Sequence, residues 1–197
     1  MKKTIIVADD EPITRMDICE ILNEAGYHIL GEAANGFDAV ELCRRFKPNL
    51  LIIDIKMPQL DGLKAAKIIT EENLADSVVV LTAYSGSEFI TEAKEAGVTG
   101  YIVKPVDERN LLPAVEVAIA KGIQINEIKE EILKIKDDME KRKIIDKAKE
   151  LLMEKYSISE EAAYKRLRKA TMDRRCSMKE MAIYIIEKYK KPDNGGR

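Results

Sequence analysis

Leu50-Leu51-Ile52-Ile53-Asp54, followed by Ile55-Lys56-Met57-Pro58, is the stretch that decides the fold. Four apolar residues in a row, bounded by breakers, read as a strand buried on both faces, the kind found inside parallel sheets. Asp54 then stands at its carboxyl end, where open α/β sheets place their ligand crevice. Working outward, strand-like segments at 4–8, 28–32, 77–81 and 100–103 alternate with helix-like segments at 13–24, 36–46, 63–70 and 87–95. A further helix begins near Asp107 or Glu108. Five strands, each followed by a helix, predict a doubly wound parallel sheet with right-handed crossovers and helices on both faces.

The strand ends carry the chemistry. The first ends in Asp9-Asp10-Glu11, the third in Asp54, the fourth in Thr82-Ala83 and the fifth in Lys104-Pro105. If the first and third strands are neighbours, as at a topological switch point, Asp9, Asp10 and Asp54 share one pocket. Three carboxylates so placed repel one another unless a cation sits among them, and a hard divalent ion such as magnesium suits that donor set. Thr82 offers a hydroxyl and Lys104 a point charge, both suited to phosphoryl oxygens. The set looks like a site that places a phosphoryl group on Asp54. Read alone, Asp9-Asp10-Glu11 is equally a cap for the following helix.

The 197 residues, 46% apolar and 35% charged, allow one ordinary domain plus a smaller one. The apolar run after the basic N-terminus covers only 5–8, so neither a signal peptide nor a spanning helix fits, and a cytoplasmic protein is expected. Cys19, Cys43 and Cys176 are widely spaced and odd in number, which argues against a disulfide framework or a zinc site. The lone histidine, His28, reads as a strand residue. Charge is segregated: residues 1–141 carry 17 Lys+Arg against 26 Asp+Glu, and residues 142–197 carry 16 against 9. The basic half is the one to test for nucleic acid.

The acid pair Asp9-Asp10, Asp54, Lys56-Met57-Pro58 with Asp61-Gly62, Thr82-Ala83, Tyr101 and Lys104-Pro105 together resemble a response-regulator receiver domain over residues 1–121. That resemblance implies the strand order 2-1-3-4-5 and a sensor histidine kinase as phosphodonor to Asp54. It implies that Asp10, Asp54 and the Lys56 carbonyl ligate Mg2+, with Asp9 assisting through water. Thr82 and Lys104 would contact the acyl phosphate, Tyr101 would be a rotameric switch, and Lys104-Pro105 would be cis.

Past Ala120, Ile125, Ile128, Ile132, Ile135 and Met139 recur at the a/d spacing of a coiled coil. Residues 122–142 read as a linker helix for a homodimer seam, or as an amphipathic helix packing on a neighbouring domain. Gly122 is a place where it could bend. Residues 143–191 read as three short helices, the second capped by Ser159 and the third opened by the capping box Ser177-Met178-Lys179-Glu180, with 192–197 a disordered tail. Ala148 with Leu151-Leu152, Ser159 to Tyr164, Leu167-Arg168 with Ala170-Thr171-Met172, and Met181-Ala182 with Ile185-Ile186 make this segment similar to the ANTAR domain, an RNA-binding antiterminator module. Tyr164, Lys165, Arg166, Arg168, Lys169, Arg174, Arg175 and Lys179 form a basic patch with an aromatic, suited to a hairpin loop. The same patch also reads as a solvated charged face.

Together these readings imply a phosphorylation-activated regulator, not an enzyme, that dimerises and binds RNA hairpins of leader transcripts to prevent termination. Within the family it is most similar to regulators of ethanolamine utilisation genes. A DNA-binding output is the alternative, although no glycine lies between Gly122 and Gly195 to shape a tight helix-turn-helix. An enzymatic output lacks a His or a Gly-rich phosphate loop in the final third, and a protein-interaction output stays open.

Overall fold

The computed structural model describes residues 2–83 and 87–189, for 87–90 the backbone alone; the expected tail lies outside them. The strands β1 (Thr4–Ala8), β2 (His28–Ala33), β3 (Leu50–Asp54), β4 (Val78–Thr82) and β5 (Gly100–Val103) form one sheet in the expected order β2-β1-β3-β4-β5. Every pairing is parallel. The connecting helices are α1 (Pro12–Glu24), α2 (Gly36–Phe46), α3 (Gly62–Glu71) and α4 (Ser87–Glu95).

The pleat sorts neighbouring residues into two cores. Ile5, Val7, Leu50, Ile52, Val79 and Leu81 meet Ile18 and Leu22 of α1, together with Leu111, Val115 and Ile119 of the next helix, α5 (Glu108–Tyr156). Their chain neighbours Ile6, Ala8, Leu51, Ile53, Val78 and Val80 meet Ala39, Val40 and Cys43 of α2 and Ala65, Ala66 and Ile69 of α3. Side chains in a strand alternate faces, so an unbroken apolar run is what a sheet covered on both sides requires.

The chain divides into two compact units at Ile128/Lys129. The last receiver helix, the linker segment and the first C-terminal helical segment are one element: α5 runs 49 residues. Gly122 lies inside it. A Cβ there would lie 3.0 Å from the Asp76 carbonyl oxygen, so glycine serves close packing of α5 against the loop before β4. One turn on, Asn126 Nδ2 donates to Asp76 Oδ1 at 2.7 Å, while Asn49 Nδ2 donates to Asp76 Oδ2 at 2.7 Å.

In the second unit the last turns of α5 pack with α6 (Glu160–Arg174) and α7 (Met178–Tyr189) around Ala148, Leu152, Ala163, Leu167, Met181, Ala182 and Ile185. The expected caps are in place. Ser159 Oγ accepts from Ala162 N at 3.3 Å. The capping box is reciprocal: Ser177 N donates to Glu180 Oε2 at 2.8 Å, and Glu180 N donates to Ser177 Oγ at 3.2 Å. Among the described residues no helix is long and apolar enough to cross a membrane.

Candidate functional site

Parallel register sets the pocket. Ala8 pairs with Ile53, so the residues that follow, Asp9 and Asp54, emerge side by side at the switch point between β1 and β3. Thr82 ends β4 one strand further on, paired with Val103, and the Lys104 amide donates to the Thr82 carbonyl at 2.8 Å. Lys104 follows β5, and its peptide bond to Pro105 is cis. Its ammonium reaches back across the strand ends to within 2.9 Å of Asp9 Oδ2 and 3.2 Å of Asp54 Oδ2.

Asp9 and Asp54 are buried and Asp10 is exposed, and one carboxylate oxygen from each lies within 4.8 Å of the others. Burial holds the Asp54 carboxyl above its ordinary value; Lys104 draws it down and Asp9 pushes it up again. Burial disfavours the Lys104 ammonium, yet its hydrogen bonds and charge contacts with Asp9 and Asp54 leave it raised. Asp9 Oδ2 is fully buried and has no well-angled hydrogen bond, only the Lys104 charge nearby. An all-oxygen donor set with an under-satisfied buried oxygen fits a hard divalent cation. The exposed Lys56 lies in the loop beyond β3.

That loop is shaped by Gly62. Its backbone presses on Asp54, so that a Cβ would come within 2.8 Å of the Asp54 carbonyl carbon and 2.9 Å of Ile55 Cα. The Gly62 amide donates to the Ile55 carbonyl at 2.8 Å. Thr82 is buried beside the pocket, whereas Tyr101 lies mid-strand with 47% of its surface exposed.

In the second unit Tyr164 and Arg168 lie one turn apart on α6, about 40° from one another at 100° per residue, and Arg175 is the C-cap of that helix. Tyr164 is 43% exposed, and among the described residues Arg168, Lys169 and Arg175 make no ion pair. The rest of the expected basic patch is engaged. Lys165 pairs with Glu161 at 2.8 Å and Lys179 with Asp137 at 3.6 Å. Arg166 covers the Tyr156 ring at 3.8 Å and Arg174 the Tyr184 ring at 4.5 Å. On α5, Ile125, Ile128, Ile132, Ile135 and Met139 are all 45–56% exposed.

The response regulator receiver domain family matches residues 5–116, and the ANTAR domain family matches residues 134–186. The chain belongs to the response regulators. A transcriptional regulatory protein, PdtaR, of Mycobacterium tuberculosis is 40% identical to it over 185 residues, spanning 94% of this chain and 90% of that protein. The chemotaxis protein CheY of Thermotoga maritima is 34% identical over 114 residues, 58% of this chain and 95% of CheY. Among solved structures, a CheX-CheY-BeF3-Mg complex from Borrelia burgdorferi aligns with TM-score 0.54 and 25% identity, over 57% of this chain and 86% of that one.

Two features of this response regulator lay outside the sequence reading. Arg15, on the first turn of α1, donates from Nη1 to the Asp9 carbonyl at 2.6 Å and from Nε to Glu32 Oε2 at 3.1 Å, bracing the turn that carries the acid pair. Its signal was an arginine six residues past Asp9, visible only once α1 is known to start at Pro12. Met172, matched as part of the ANTAR segment, is 71% exposed and not a core residue.

Proposed function

We propose that Asp54 is the phospho-acceptor of a regulator that binds RNA hairpins in leader transcripts when phosphorylated and so prevents transcription termination. The observation that carries this is the presence, in one chain, of an acceptor pocket and an ANTAR unit in which Tyr164 is exposed on α6 and Arg168 and the C-cap Arg175 meet no acid among the described residues. An Asp54 carboxylate oxygen attacks the phosphorus of a sensor kinase's phosphohistidine, and the P–N bond breaks as the imidazole leaves. Lys104, already between Asp9 and Asp54, neutralises charge on the transferring oxygens, and Thr82 supplies a hydroxyl beside them. Asp9, Asp10, Asp54 and the Lys56 carbonyl are the groups for Mg2+, which when bound offsets phosphoryl charge; the magnesium named for the Borrelia complex supports that choice.

Phosphorylation adds charge that favours the arrangement bringing Thr82 and Lys104 close, with Tyr101 turning inward as Thr82 moves. The exposed a/d stripe of α5 is the homodimer seam, bringing two ANTAR units to paired hairpins. The reading is of a cytoplasmic signalling protein whose only chemistry is its own phosphorylation and dephosphorylation.

The test is a titration of the full chain against a pool of paired hairpins with randomised loops and against duplex DNA, with and without acetyl phosphate. Phosphorylation is expected to tighten hairpin binding at least about tenfold, and Asp54→Ala to remove that gain. Tighter binding to duplex DNA, or no phosphorylation dependence, would overturn the reading.

A further inference from the structure

The second unit carries a further ladder of rings and cations, drawn from α5, α6 and α7. Tyr156 ends α5 and Tyr189 ends α7, and their hydroxyls lie 3.1 Å apart. Arg166 covers Tyr156, Lys155 lies 3.9 Å over Tyr189, Arg174 covers Tyr184, and Lys188 stands 5.8 Å from both Tyr184 and Tyr189. At 100° per residue, Arg166 lies on the opposite side of the buried Ala163 and Leu167 from Tyr164 and Arg168, while Arg174 is in line with that buried pair at the last residue of α6. The cations of this ladder also differ in their company. Lys149, Lys165 and Lys179 each meet a carboxylate, whereas Lys155, Arg166, Arg174 and Lys188 meet none among the described residues.

A clasp holding helix ends together explains Tyr156 against Tyr189. It does not explain Tyr184, 40% exposed and flanked by Arg174 and Lys188. Four cations without acids, interleaved with three rings, match an anionic polymer that also offers flat faces. We infer that this ladder is a second RNA-contact face, which takes single-stranded RNA beside the hairpin seated on the α6 stripe. The inference rests on the RNA-binding reading above. Phosphates draw the cations off the rings, and the uncovered rings stack unpaired bases. An exposed cation-ring contact is weaker than base stacking combined with an ion pair, so the exchange runs toward bound RNA. Duplex cannot substitute, because its bases are already stacked.

The experiment uses the full chain, a labelled oligoadenylate of about twelve nucleotides, and hairpins trimmed of single-stranded flanks. Tyr184→Ala with Lys188→Ala is expected to weaken oligoadenylate binding about tenfold or more and leave trimmed hairpins within about twofold. Arg168→Ala should do the reverse. Lys188→Glu, which leaves all three rings in place, should also weaken the oligoadenylate. Lys165→Ala with Lys179→Ala removes two positive charges that face acids and should change oligoadenylate binding little. Equal losses in that control, or a wild-type chain that does not hold oligoadenylate, overturn the second face. Oligoadenylate binding that survives while no hairpin binds supports the face and counts against the antiterminator reading alone.

Discussion

The receiver surrounds its chemistry, whereas the ANTAR unit wears its own on the outside. Asp9, Asp54 and Thr82 are buried at strand ends, above cores of fifteen and fourteen buried residues. The core of the second unit has seven buried hydrophobic residues among the described residues, and its candidate RNA groups sit on helix surfaces. A buried charge is held in one geometry by everything packed around it, and its energetic cost makes it legible. An exposed arginine is held by little, and only its partners show whether it is spoken for. The small core also leaves the second unit little stability of its own.

The largest test of that contrast is at Lys104. Lys104→Ala should slow phosphorylation of Asp54 by about a hundredfold or more, read by phosphate incorporation from acetyl phosphate, while unphosphorylated RNA binding is unchanged. Next, Leu167→Ala should cost the second unit about 3 kcal/mol. Calorimetry is expected to show that unit melting first and a nearly unchanged receiver transition; one merged transition would break the comparison. Magnesium at about a hundred times its Kd should stabilise the receiver by about 2.7 kcal/mol, lost on chelation and absent from Asp54→Ala.

Without metal, burial keeps the Asp54 carboxyl above its ordinary value, so the folded chain holds that proton more tightly than the unfolded chain. The group's contribution is fully present below the ordinary Asp range and lost as pH rises through the raised value. Metal-free Asp54→Asn should therefore melt above wild type at neutral pH and converge with it in acid. Smallest, Ser177→Ala should cost about 1 kcal/mol, seen only in the second unit's transition.

Most of the receiver was legible because its requirements are severe. Leu50 to Asp54 allows one reading, and acids, a threonine and a lysine at separate strand ends have one obvious meeting place. Arg15 was missed because it acts on a carbonyl, which no side-chain pattern reveals. Gly122 suggested a bend, and what the structure shows is its close approach to Asp76, since a helical glycine signals either with the same letter. In the ANTAR unit the caps at Ser159 and Ser177 were readable, because capping is local. The division of its basic residues was not, since whether Lys165 faces Glu161 or Arg166 faces Tyr156 depends on side-chain placement.

The alternating pleat of β1 and β3 has a genetic consequence. Ile52 and Ile53 are adjacent codons, yet their side chains enter compartments separated by the sheet itself. A hole opened by Ile53→Ala can be refilled from α2, α3 or the strand residues on that face, and one opened by Ile52→Ala from α1, α5 or the strand residues on the other. Second-site suppressors of these two neighbouring lesions should thus form two sets that do not overlap.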